Sequence, residues 1–470
     1  MLFLLSALLL GGCAQQGEGS GWQPDEALRQ AADGLDSYQY ELLIHPQTRE
    51  LSLSLRLSLS NRDSQPYEDL LLRTWAGAYE TMVASPYAHD ALRELYYPDG
   101  FSPGGLTLHD VYWRDQAVSH RFLDEAHTML SISIPSLAPG DEGELRLRCV
   151  VKLPESPGRL GIDQGVWTLG NLLPVLAVRD AGAWRTDPSW HIGDPFVSEA
   201  ANYQVSLSLP EGWQALSSAP LDKPALALRD YALVLTQGFV RQEAQAGGTR
   251  LIAQARQGKD AELLLRLMRK GFDFLSERYG LYPWPTLSLT QTAFPLAGME
   301  HTGLILISEA YLKQDRLDEL ELLVVHELAH QWFFAQVGSD QAREPWLDEA
   351  LCDWAVLSYV RQTYGQTAYQ DLMRLRVELP MQASYPPGLR AGSPIWAFQS
   401  LQDYVGLVYG KASGLMAAIQ LDTGRMDAFL KHYVASFRHQ LVSRAMFEEA
   451  LNAFMGKDLR PLVSDYLDND

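Results

Sequence analysis

The residues best suited to chemistry lie in an apolar run, ELLVVHELAHQWFF at 321–334. Burying two imidazoles and a carboxylate there without partners costs free energy, so a compensating partner is expected. On a helix, residues four apart share a face. His326 and His330 therefore project together and can grip one metal ion, while Glu327 projects beside the pair as a candidate general base. This HExxH spacing outlines a water-activating metal site. A catalytic zinc wants a third protein donor and one open position for water. The next apolar segment, EPWLDEALCDWAVLSYV, offers Glu349, with eighteen residues between it and His330. Trp346, Leu347, Ala350 and Leu351 surround Glu349, which argues against a solvated surface salt bridge. One ion per chain is expected, and Asp353, one turn beyond Glu349, is the candidate to orient an imidazole.

These segments carry a family resemblance. HELAHQWF and WLDEAL are similar to the two zinc-binding segments of the aminopeptidase N-type gluzincin metallopeptidases. PLAGMEHTG (295–303) resembles that family's Gly-x-Met-Glu-Asn exopeptidase motif, and LVYGKASGL (407–415) its Tyr-x-Lys-Gly-Ala segment. IGDPFVSEAANYQVSLSLPEGW (192–213) resembles the N-terminal β domain of bacterial members, so the likeness covers most of residues 38–420. It implies a Zn2+ aminopeptidase acting on peptides with a free N-terminus. Glu300, with Gly298 and Met299, would bind the α-amino end. Tyr409 would stabilise the oxyanion, with Tyr404 also in range for that role.

Ala297 stands in place of the motif's first Gly, His301 in place of its Asn, and Ala412 where Gly follows the Lys. The sequence also lacks a counterpart of the family's large C-terminal helical domain. These departures keep an endopeptidase with an open cleft as an alternative. A surface-binding protein with structural zinc is a third reading. It is disfavoured because a structural site is typically closed by four ligands. His301 reads as a pocket-wall residue and Lys411 as structural. The other histidines have no ligand-like spacing.

The elements that position these residues fall into two patterns. ELSLSLRLSLSN (50–61) alternates Leu with Ser or Arg, as a strand with one buried face does. Similar runs follow at 128–136, 143–153, 203–213 and 231–240. From about residue 259 the spacing turns helical, with DAELLLRLMRKGFDFLSERYG (260–280) ending in Gly. Strand-like TLSLTQTAF (286–294) and TGLILIS (302–308) precede the HExxH run. The expected fold class is α+β. An N-terminal antiparallel β-sandwich-like, saddle-shaped domain (37–241) would precede a mainly helical thermolysin-like catalytic domain (242–470). Residues 14–36 read as a flexible tether that is briefly helical in pattern.

The chain has 470 residues and a formal net charge of −20, from 38 basic and 58 acidic residues. That balance argues against a nucleic-acid partner, and no obligate protein partner is implied. Three cysteines make no disulfide framework. Cys149 and Cys352 read as buried thiols, with a bridge between them as the minor alternative. The opening MLFLLSALLLGGC is too short to cross a bilayer but suits a signal-peptide core. Its Leu10-Gly11-Gly12-Cys13 end resembles the lipobox of bacterial lipoproteins. That implies residues 1–13 as signal and lipobox, lipidated Cys13, and an extracytoplasmic, membrane-anchored location. No Lys or Arg precedes the apolar run, which leaves open a start upstream of Met1.

Overall fold

The alternating Leu of residues 50–61 form the strand Glu50–Ser60, in which Leu51, Leu53, Leu55, Leu57 and Leu59 all point into the core. Each such side chain contributes about 1.5–3 kcal/mol by leaving water. The strand pairs antiparallel with Ser37–His45 on one side and Glu142–Lys152 on the other. The structure, a computed structural model, describes residues 23–469; Cys13 and the lipobox lie outside the described residues.

Seven strands make the main sheet, in the order Ala225–Leu228, Ala201–Ser208, Ser37–His45, Glu50–Ser60, Glu142–Lys152, Gly105–Trp113, Gln116–Ala117. Its one parallel pairing joins Ser37–His45 to Ala201–Ser208. Two four-stranded sheets, one built around Leu233–Gln237 and the other around Tyr67–Arg73 and Met129–Leu137, and a two-stranded ribbon of Arg179–Asp180 with Ala183–Trp184 complete the β unit.

Two readings need correction. The run 203–213 is two strands, Ala201–Ser208 and Trp213–Ser217, in different sheets. Pro210 cannot donate to a ladder, and Gly212, at φ 81°, turns the chain. Residues 25–36 are no flexible tether. Asp25 caps the helix Glu26–Ala32 by accepting from the Leu28 N–H at 2.7 Å. Leu28 is buried, and Asn202 donates to the Ala32 carbonyl at 2.9 Å.

The second unit starts with a mixed five-stranded sheet, ordered Val240–Ala246, Thr249–Ala255, Thr286–Thr292, Leu304–Ser308, Gly298–His301. Val240–Ala246 pairs with Thr249–Ala255 along its whole length, so a division between residues 241 and 242 cuts a strand. The central pairings are parallel, and Thr286–Thr292 is buried on both faces, as parallel strands are. The antiparallel edge strand Gly298–His301 lies against the helix Leu317–His330. That helix packs on Trp346–Met373, which bends at Gly365 (φ 88°). Helices then dominate to Leu467.

Cys149 and Cys352 are both free and buried, the first in the β unit and the second in the helical one. Among the described residues no helix is long and apolar enough to cross a membrane.

Candidate active site

Leu320, Val324, Val325 and Leu328 bury one side of the helix Leu317–His330, which fixes the rotation of its polar residues. His326 and His330 then face Glu349, in the first turn of Trp346–Met373. The two imidazole Nε2 atoms lie 3.1 Å apart, and Glu349 Oε2 lies 3.2 Å from one and 3.4 Å from the other. A tetrahedral zinc with bonds of about 2.0–2.2 Å sets neighbouring donors about 3.4 Å apart, so this triangle matches one face of its coordination shell.

The outer ring nitrogens explain why the inner ones point lone pairs at each other. His326 Nδ1 donates to Asp353 Oδ1 at 3.0 Å, and His330 Nδ1 to Asp348 Oδ1 at 2.7 Å. Each bond holds the ring proton on the outside and leaves Nε2 as a donor to metal. Two lone pairs and a carboxylate oxygen facing one another at these distances repel, and a cation between them removes the repulsion. The donor set therefore fits zinc.

The local field agrees. Burial opposes protonation of His326, yet its bonds to Asp353 and Glu349 hold the ring up at about 10. His330 is also raised against its burial, with Cys352, Asp348 and Glu300 nearby. Glu349 is held well below the usual carboxylate range by the same rings, although burial works the other way. The centre attracts positive charge.

These donors line a cavity of about 510 Å³ together with Glu300, Met299, Gly298, Glu327, Tyr404 and Tyr409. Glu327 Oε2 is buried and makes no hydrogen bond, and burial pushes its carboxyl up to about 7. Glu300 has an oxygen within 4.8 Å of Glu327 and His330 donor atoms. Burial, then the carboxylates of Asp194, Glu327 and Glu349, raise its proton affinity despite the lowering influence of His330. A buried carboxyl among acids is a ready partner for an ammonium group.

Gly298 is required by contact: a Cβ there would sit 2.3 Å from Glu327 Oε1. Ala297 holds φ 126°, a region that favours glycine, where the resembled motif has Gly. Tyr409 stacks on His326 with ring centroids 5.7 Å apart, with its hydroxyl near Glu349. Tyr404 packs edge-on to Tyr409 and Phe398. Tyr409 sits within Val405–Lys411, a π-helical turn of the kind often found at functional sites.

Every metal and substrate residue singled out from the sequence thus converges on one cavity, and Asp353 contacts His326. His301 is no wall of this cavity, though it lines a small neighbouring pocket with Asp230 and Asn171. It follows Glu300 on a strand and so faces the other way, donating through Nδ1 to Asp230 Oδ2 at 2.6 Å.

Four further residues escaped sequence reasoning. Asp348, one residue before Glu349, holds His330 and accepts from Gln341 Nε2 at 2.6 Å. Asp230, from the β unit, grips both His301 and the Thr302 N–H. Asp194 and Arg159 form a part-buried ion pair lining the cavity. The signal for Asp348 was its place inside WLDEAL and for Asp194 its place inside IGDPF; Asp230 and Arg159 carried none.

Residues 265–466 match the model of the peptidase family M1 domain. Aminopeptidase N of Streptomyces lividans is 21% identical over 302 residues, covering 57% of this chain and 35% of that protein. Human glutamyl aminopeptidase is 24% identical over 257 residues, covering 47% of this chain and 26% of its own. The chain thus matches about a third or less of these relatives' lengths. Among solved structures, the M1 zinc metallopeptidase of Deinococcus radiodurans superposes with a TM-score of 0.65 at 18% identity, covering 92% of this chain and 93% of its own. A mutant of that protein with a Tyr-Ser-Ala substrate bound gives 0.63 at 18% identity, with 92% and 93% covered. These likenesses share the two-unit fold.

Proposed function

The chain carries a peptidase family M1 domain at residues 265–466, of the aminopeptidase N-type gluzincin kind, and from that premise we propose a zinc aminopeptidase that removes the N-terminal residue of peptides. The observation that carries the proposal is Glu300: a buried carboxyl, raised in proton affinity, beside Glu327 and His330 in the same cavity. An ammonium group satisfies it, which sets the first peptide bond of a substrate against the metal donors.

His326, His330 and Glu349 would hold the zinc, which when bound would supply Lewis acidity to water and to the peptide carbonyl. Glu327 takes a proton from the attacking water at its unbonded Oε2. Its raised affinity suits a base working near neutral pH. The same carboxyl can then deliver that proton to the departing amine. Tyr409, close to Glu349 and His326, donates its hydroxyl to the carbonyl oxygen as charge develops. Asp348 and Asp353 keep both rings oriented throughout. A structural zinc site would not need the unbonded Glu327 or the Tyr409 hydroxyl.

Glu327→Gln keeps the size of the side chain but removes the base. It should lower kcat by about 10²–10⁴-fold while zinc content stays at one per chain. Unchanged turnover of aminoacyl p-nitroanilides would refute the mechanism. N-acetylated peptides cleaved as fast as free ones would favour the endopeptidase alternative. Cys13 is proposed as the lipid anchor that holds the enzyme at a membrane face, two or more acyl chains being enough for stable binding. Fractionation of a Cys13→Ala chain tests this: retention in the membrane pellet rules it out.

A further inference from the structure

The cavity is polarised along its length, and the end away from Glu300 has no part in the reading above. Glu300 lies against His330. His326 comes next, 3.1 Å from His330 between ring nitrogens, and its outer nitrogen meets Asp353 Oδ1 at 3.0 Å. That same oxygen accepts from Arg376 Nη1 at 2.9 Å. Along this chain of contacts the metal donors link a carboxyl, reached through His330, to a guanidinium, reached through His326.

Arg376 is only half used. Its Nη1 is fixed by Asp353, while its Nε and Nη2 make no hydrogen bond among the described residues. The side chain lines the cavity and is 33% exposed. A guanidinium already oriented by one nitrogen, with others open, is a preorganised receptor for a carboxylate. The Asp353 carboxylate is shared between the ring N–H and Arg376, and Glu319 on the cavity wall is paired with Arg316 at 2.5 Å. Neither acid needs the open face of Arg376.

Reach decides the ligand. Two hydrogen bonds and one imidazole separate the guanidinium from the Nε2 that faces the metal position. This is on the order of two residues of extended chain at about 3.3–3.6 Å each. A terminal carboxylate one or two residues past the scissile bond thus arrives at Arg376. Leu375 and Val405, 63% and 47% exposed, flank that end with apolar surface for the side chains between.

Resting on the aminopeptidase reading, we infer that Arg376 forms a subsite for the C-terminal carboxylate of the substrate, and that the substrate class is di- and tripeptides with both ends free. The test compares kcat/KM of the full chain, loaded with zinc, on one tripeptide as the free acid and as the C-terminal amide. The free acid should be preferred about tenfold or more, chiefly through KM. Arg376→Ala should bring the ratio within about twofold of unity, and Arg376→Lys should keep part of the preference. Equal cleavage of acid and amide by the wild type overturns this inference alone, as does a preference that survives in Arg376→Ala. Failure to cleave either peptide overturns the aminopeptidase reading and the inference with it. The wild-type comparison decides the matter even if the variants fail to fold.

Discussion

Replacing Asp348 by Asn isolates what holds the second imidazole. Asp348 is almost completely buried, accepts from His330 Nδ1 at 2.7 Å and from Gln341 Nε2 at 2.6 Å, and touches no substrate-facing surface. The amide keeps the shape and can still accept the ring proton. The bond changes from one to a charged acceptor, worth about 1.5–3 kcal/mol, to a neutral one worth about 0.5–1.5 kcal/mol. The loss of about 1–2 kcal/mol corresponds to a five- to thirty-fold weaker hold on zinc. Asp353→Asn acts on the other ring of the same hydrogen-bond network, so the double variant should depart from the product of the two single effects. Competition against a chromogenic chelator reads the zinc affinity directly, and excess zinc should restore most of the activity of each single variant. A zinc affinity for Asp348→Asn within twofold of the wild type would mean that the outer hydrogen bonds do not set the rings. The account of the metal site would then fail.

Two other perturbations read the junction between the units. Arg229 is fully buried and donates to the carbonyls of Phe334, Ser198 and Gln440; Arg229→Met removes the donor from all three, the Gln440 carbonyl alone keeping the Gly338 N–H, and should cost about 2 kcal/mol or more in urea unfolding. His439, buried against Ala227 of the β unit, is depressed to about 4, mainly by burial and then by Arg229. The unfolded chain therefore takes up this proton from about pH 6.5 downward while the folded chain resists until about 4. Stability should fall by up to about 3 kcal/mol as pH drops through that window. Thermal melts between pH 7 and 4 should show a shallower acid-side loss for His439→Asn, which tolerates the residue's φ of 63°.

The metal donors were legible because one helix rule sets them: four residues apart means one face, and an apolar helix must bury that face. Glu349 was legible from its apolar neighbours. The Leu-Ser strand declared its own buried side in the same way. Asp348 was hidden by that very rule, since adjacent helical residues diverge by about 100° and Glu349 had already claimed the metal. Only the packing of Leu317–His330 against Trp346–Met373 shows that His330 turns its outer nitrogen towards it.

His301 was misread for a related reason. Its neighbour Glu300 faces the cavity, so strand alternation sends it to the opposite side, but nothing local says that Asp230 waits there. Asp348 apart, what sequence patterns could not supply is a polar group arriving from the other unit. Asp230 grips the end of the strand Gly298–His301. Arg185 and Asp187 bind Asp340 and Arg343 in the loop ahead of the Glu349 helix. Arg229 collects carbonyls from both units. Ala297, in a backbone region that favours glycine, immediately precedes the strand that Asp230 holds. A local conformation of that kind persists only when its surroundings over-determine it. The β unit is therefore part of the machinery that keeps Glu300 in register with Glu327, since without it His301 and the Thr302 amide lose their shared partner and the strain at Ala297 has nothing to oppose its release.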